Sequence, residues 1–97
     1  MAATFILSIL TPEGSVFEDS VEAVVAPAAE GYLGVLAGHA PMLVALQKGI
    51  LEVTSESGDK LLFESGEGTL EVTTGGCFIL VDNADHSEST DKPVLSW

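Results

Sequence analysis

The sequence predicts an all-β fold, a small antiparallel β-sandwich of about ten short strands. Three observations carry that expectation. The apolar runs are short and rich in β-branched and aromatic residues, glycine-bearing turns separate them every 8 to 12 residues or so, and helical periodicity is almost absent. At 97 residues the chain suits one domain. Its single cysteine, Cys77, excludes an internal disulfide, so burial has to hold the fold.

Residues 5–10 read as the first strand, ended by Thr11-Pro12-Glu13-Gly14, where proline presets φ and glycine accepts a turn conformation. Residues 15–17 and 21–26 follow as two short strands, the second with Val21, Ala23 and Val25 on one face, Glu22 on the other, and Pro27 as its stop. Residues 32–36 and 42–46 are joined through Gly38-His39-Ala40-Pro41, a bend in which proline keeps Ala40 extended. Residues 50–54 and 60–64 form a hairpin across Ser57-Gly58-Asp59. A second hairpin joins residues 69–73, with Leu70 and Val72 inward and Glu71 outward, to residues 77–81 across Gly75-Gly76. The sandwich domain is thus expected over residues 1–84, and residues 85–97 are expected to be a polar, flexible tail.

Charge narrows the functions available. Fifteen acidic residues face three lysines (Lys48, Lys60 and Lys92) and no arginine, giving a formal charge of −12. Such a chain lacks the clustered cations that phosphate backbones and anionic lipids require, and favours a locally basic protein partner. No secretory signal and no window of membrane-spanning length is present, so a soluble, intracellular chain is expected.

No catalytic constellation emerges. Cys77 lies within Cys-Phe-Ile-Leu-Val, where burial should raise rather than lower its pKa. Gly66-Glu67-Gly68 is followed by strand rather than by a helix start, which makes it a turn or bulge and not a phosphate cradle. Asp82, Asp85, His86 and Glu88 offer oxygens and one imidazole, but without calcium-loop spacing or a second nitrogen or sulfur ligand they read as a solvated acidic cluster. His39 has no nucleophile or carboxylate in its own turn and reads as a structural or interface histidine. Neither a cofactor nor a metal is expected. Function should therefore reside in a surface, with Tyr32, Leu36, Met42 and Leu43 beside bends as its candidates.

The order of the motifs carries a family likeness. Thr11-Pro12-Glu13-Gly14-x-Val16-Phe17, Val24-Val25-Ala26-Pro27, Glu30-Gly31-x-Leu33-Gly34-Val35-Leu36-x-Gly38-His39-Ala40-Pro41 and Gly68-x-Leu70-Glu71-Val72 resemble, in register, the N-terminal domain of the epsilon subunit of F-type ATP synthases. The stretch from Gly31 to Pro41 is its most specific part. The resemblance implies a non-catalytic β-sandwich on the central stalk, a monomer within a hetero-oligomeric complex that links the gamma subunit to the c ring and couples proton flow to ATP synthesis. It places Glu30, Gly31 and Tyr32 toward the c ring and His39, Met42 and Leu43 toward gamma. It also implies peripheral attachment, through the complex, to the cytoplasmic face of an energy-transducing membrane such as the bacterial inner membrane.

Three positions depart from the family pattern. Tyr32 stands where an acidic residue is common, leaving Glu30 as the charged contact, and Gly66-Glu67-Gly68 replaces a Ser-Gly-Gly turn. The family's C-terminal helical pair, which carries inhibition, has no counterpart in this sequence. The alternative is an acidic sandwich adaptor for some other basic protein.

Overall fold

The structure, a computed structural model, describes residues 3–87. It contains nine strands: β1 (Phe5–Thr11), β2 (Gly14–Ala28), β3 (Gly31–Leu36), β4 (Met42–Leu46), β5 (Gly49–Ser55), β6 (Lys60–Ser65), β7 (Gly68–Thr73), β8 (Gly76–Val81) and β9 (Ala84–Ser87). All belong to one hydrogen-bonded network in the order β1-β8-β7-β4-β2-β5-β6-β9, with β3 on β2 and a further pairing of β1 with β2. That last pairing closes a circuit through β1, β8, β7, β4 and β2. The long β2 serves both halves of the sandwich. Its first half pairs with β1, and its second half carries β3 on one edge and β5 on the other.

Between the halves lies one core. Leu7, Ile9, Val21, Val24, Leu51, Val53, Leu70 and Ile79 are fully buried, and Phe5, Phe17, Met42 and Val44 close its margins. Phe17 meets Phe63 edge to face at 5.5 Å between ring centroids, the arrangement that aromatic quadrupoles favour. In β7 and β8 the alternation is as the sequence predicts: Leu70 and Val72 point inward, Glu71 outward, and Gly76 supports the reversal with φ 137°.

Four features differ from the sequence-based expectations, and all four arise from pairing between segments distant in the chain. Residues 15–17 and 21–26 are parts of one fifteen-residue strand, and Pro27 does not stop it, because the proline carbonyl still accepts the Gln47 amide at 2.8 Å. Within that strand the register against β5 slips between Val21 and Ala23, so the side chains change faces and the buried set becomes Val21, Val24 and Ala26. The β1–β8 pair is parallel, where every pairing was expected to be antiparallel. The fold also continues past residue 84, since Ala84 to Ser87 pairs with β6 from Ser65 to Leu62. Ala84 packs against the core and the His86 ring lies 5.0 Å from Phe63, two inward contacts too few to register as a strand in sequence. The expected tail otherwise falls on residues 88–97, outside the described residues.

Candidate functional site

The turn between β2 and β3 is a tight hairpin with Ala29 and Glu30 at its tip and Gly31 at φ 126°, a conformation open to glycine. It is clamped from the other side of the sandwich. Gln47 donates through Nε2 to the Ala28 carbonyl at 3.0 Å, the Ala29 amide donates to the Ala45 carbonyl at 3.2 Å, and Gly49 lies so close to Pro27 that a Cβ there would meet the ring at 2.9 Å. Glu30 is therefore presented on a fixed mount. Together with Tyr32 and β4 the turn lines a cleft of about 470 Å³.

The second candidate region lies at the other end of β3, roughly 17 Å away for a strand of this length. In the loop that follows, His39 donates its amide to the Leu36 carbonyl at 3.1 Å, and its Nδ1–H donates to the Ala40 carbonyl at 2.8 Å. The ring stiffens its own bend and has no acidic or nucleophilic neighbour in that bend with which to act as a base. Met42 and Leu43, adjacent in β4, point to opposite faces. Met42 packs against the core, whereas Leu43 is 68% exposed.

Leu43 does not stand alone. Across the ladder it is followed by Glu71, Phe78 and Ser8, and the next row holds Ala45, Thr69, Leu80 and Leu10. Leu80 is 47% exposed, and Ile6 is exposed at the margin of the same outward face. These residues were missed in sequence. The signal was present in Cys77-Phe78-Ile79-Leu80-Val81, an apolar run without alternation, which means that the strand has two faces to cover.

Among the described residues, no group of three or more His, Cys, Asp or Glu side chains is placed to hold a metal. His86 faces Phe63, and Glu88 lies outside the described residues. Gly66 and Glu67 form a clasp: the Gly66 amide donates to the Asn83 carbonyl at 2.9 Å and the Glu67 carbonyl accepts from the Asp82 amide at 3.0 Å. Burial pushes the Cys77 thiol up to about 11, the opposite of an activated nucleophile. No described helix is long and apolar enough to cross a membrane.

A clamped acidic turn at one end and exposed Leu43, Leu80 and Ile6 on one face belong to a small β-sandwich domain. Residues 4–87 match the family described as ATP synthase, Delta/Epsilon chain, beta-sandwich domain, and the chain belongs to that family. It is 38% identical over 90 residues to the ATP synthase epsilon chain of Syntrophomonas wolfei and 38% identical over 89 residues to that of Prochloron didemni, covering 92% of this chain in each case. It spans 65% of the length of both relatives. Among solved structures, a chain of the Euglena gracilis mitochondrial ATP synthase, in an OSCP/F1/c-ring assembly, superposes with a TM-score of 0.82 at 32% identity over 89% of this chain and 55% of its own. A chain of the Tetrahymena thermophila mitochondrial enzyme, from its central stalk and c ring, shares the fold with a TM-score of 0.70 at 22% identity, over 86% of this chain and 66% of its own.

Proposed function

We propose that this chain is an epsilon-type rotor subunit, non-catalytic, that joins gamma to the c ring and so couples proton translocation to ATP synthesis. The observation that carries the reading is the family match over residues 4–87, supported by the likeness to a chain of an ATP synthase assembly. Two surfaces at separate places on a stiff body suit a part that transmits torque. Glu30, Gly31 and Tyr32 meet the polar loops of the c ring, with Glu30 supplying the charge. Leu43 meets gamma together with Leu80, Phe78 and Ile6, while His39 holds the adjoining bend in shape. The net charge of −12 draws the chain toward basic segments of its partners, and desolvation of the leucines then holds the complex. Attachment to the energy-transducing membrane is peripheral, through the complex and on its cytoplasmic face.

Co-elution with purified gamma on a size-exclusion column, at low and at moderate salt, tests this. A one-to-one complex that survives moderate salt is expected, weakened at least tenfold by Leu43→Asp combined with Leu80→Asp. Glu30→Lys should leave gamma binding intact and lower coupled synthesis when the chain is added back to enzyme stripped of its epsilon subunit. No complex at either salt would overturn the rotor reading in favour of the adaptor.

A further inference from the structure

The two ends of the β3-β2-β5-β6-β9 half are not alike. A strand at the end of a sheet turns amides and carbonyls outward, and proteins ordinarily guard such an edge with charge, proline, a bulge or brevity. At one end β9 has only four residues, Asp85 and His86 among them. At the other end β3 has six, with no charge, no proline and an unbroken register against β2. Among the described strands β3 pairs only with β2, which leaves its far edge open. Ladder parity identifies the backbone groups that lie there. Pro27 has no amide hydrogen and gives its carbonyl to Gln47, so it faces away from β3, and two residues back along the strand so does Val25. Gly34 is the partner of Val25, and its N–H and C=O therefore point to the open edge. Leu36 turns its N–H the same way, while its carbonyl is taken by the His39 amide. Gly34 is exposed, and nothing stands within 4 Å of the place its Cβ would occupy.

Beside this edge lies the cleft of about 470 Å³, with Leu33 and Val44 in its lining. Among the described residues that line it, Glu30 alone is charged. We propose that β3 is a pairing edge for an extended, locally basic segment of another protein. The segment adds to the sheet as an antiparallel strand on Gly34 and Leu36, places an aliphatic side chain in the cleft between Leu33 and Val44, and sets a lysine or arginine beside Glu30. Main-chain bonds supply the affinity in this mode of recognition, and the pocket for alternate side chains supplies the selectivity. A residue paired opposite Leu33 shares its face of the sheet, so the cleft stands where an added strand needs it. Charge decides the occupant. A second copy of the chain, itself at −12, is repelled, whereas a basic segment is drawn to the edge and oriented by Glu30. The edge is open whatever assembly the module joins, so this pairing goes beyond the rotor reading and needs no part of it.

The probe is the acetylated and amidated hexapeptide Thr-Val-Thr-Val-Thr-Lys, which on antiparallel pairing sets its second valine opposite Leu33 and its lysine beside the Glu30 turn. Amide hydrogen exchange of the full chain, followed by nuclear magnetic resonance, reads the edge directly. The Gly34 and Leu36 amides are expected to exchange freely in the chain alone and at least tenfold more slowly with the peptide at about 1 mM. The same peptide ending in glutamate should bind at least tenfold more weakly. Gly34→Pro removes the edge amide and spares the ladder to β2, so it should abolish binding, and Gly34→Ala should retain it. Where Gly34→Pro fails to fold, the exchange pattern of the native chain still decides. Protection of the two amides in the chain alone, no protection with the peptide, protection of the Leu43 amide instead, equal binding of the two peptides, or undiminished binding by a folded Gly34→Pro variant would overturn the proposal.

Discussion

Gly68→Ala is the sharpest test of how closely β7 and β8 approach within their half of the sandwich. Gly68 opens β7 opposite Val81, and a Cβ built there would run into the Leu80 carbonyl oxygen, with the Val81 Cα at 2.7 Å and the Leu80 carbonyl carbon at 2.8 Å. All three are backbone atoms, so no side chain can swing aside. Nor can β7 and β8 part, because Leu70 and Ile79, two residues along the same ladder, are fully buried. Overpacking a core costs about 1–3 kcal/mol even where side chains give, and a backbone collision belongs at or above the top of that range. Replacing glycine by alanine returns about 0.4–1 kcal/mol by restricting the unfolded chain. The net expectation is a loss of about 2–3 kcal/mol, or roughly 10–20 °C in Tm for a domain this small. Gly34→Ala is the matched control. It also lies in a strand and has no positive φ, but nothing stands within 4 Å of its Cβ, so it should be neutral or slightly stabilising. Urea unfolding followed by far-ultraviolet dichroism measures both. Midpoints for the two variants that agree to within about 0.5 kcal/mol would refute the steric argument.

The remaining predictions concern the core, the thiol and the acidic turn. Phe63→Ala removes the ring shared by Phe17 and His86 and should cost about 3–5 kcal/mol, read from urea unfolding; a loss below about 1 kcal/mol would mean that β9 closes the gap. Because Cys77 stays protonated to about pH 11 in the fold but ionises near 9.0 when unfolded, stability from this group is complete below pH 9 and falls between 9 and 11. The urea midpoint of the native chain should therefore drop more steeply across that window than that of Cys77→Ala, and parallel slopes would contradict it. Gly31→Val forces a branched side chain into φ 126° and should cost about 1–3 kcal/mol in thermal unfolding, whereas a variant as stable as the native chain would show that the turn relaxes freely.

Much of the fold was legible because its turns are local. Gly58 and Gly75-Gly76 sit where the hairpins reverse, and Leu70-Glu71-Val72 alternates as a half-buried strand must. What escaped was non-local. Nothing around Glu22 marks the slip that moves burial from Ala23 to Val24, because the slip is defined against β5, thirty residues away. Pro27 reads as a stop only if its own missing donor matters, and the Gln47 amide makes its carbonyl useful instead. The candidate sites divide in the same way. Glu30 and Leu43 are exposed as their positions in the sequence suggest, and Gly31 supplies the turn. Met42 and Leu43 looked equivalent until the strand assigned them to opposite faces, and Leu80 and Ile6 joined Leu43 only through pairing. Burial of Glu52 could not be foreseen, since a charged residue between Leu51 and Val53 is what alternation ordinarily sends to water.

The parallel pairing of β1 with β8 sets a clock on the birth of the protein. Leu10 finds its partner Leu80 only after seventy further residues have been made, which at about 5–20 residues per second is roughly 4–14 s on a ribosome. Throughout that interval β1 can pair with β2 but has an open edge on the other side, with Leu7 and Ile9 uncovered. The N-terminal third of the chain thus carries an unpaired strand edge during synthesis, and the closing event is the arrival of Cys77 to Leu80 beside a strand that has been waiting for it.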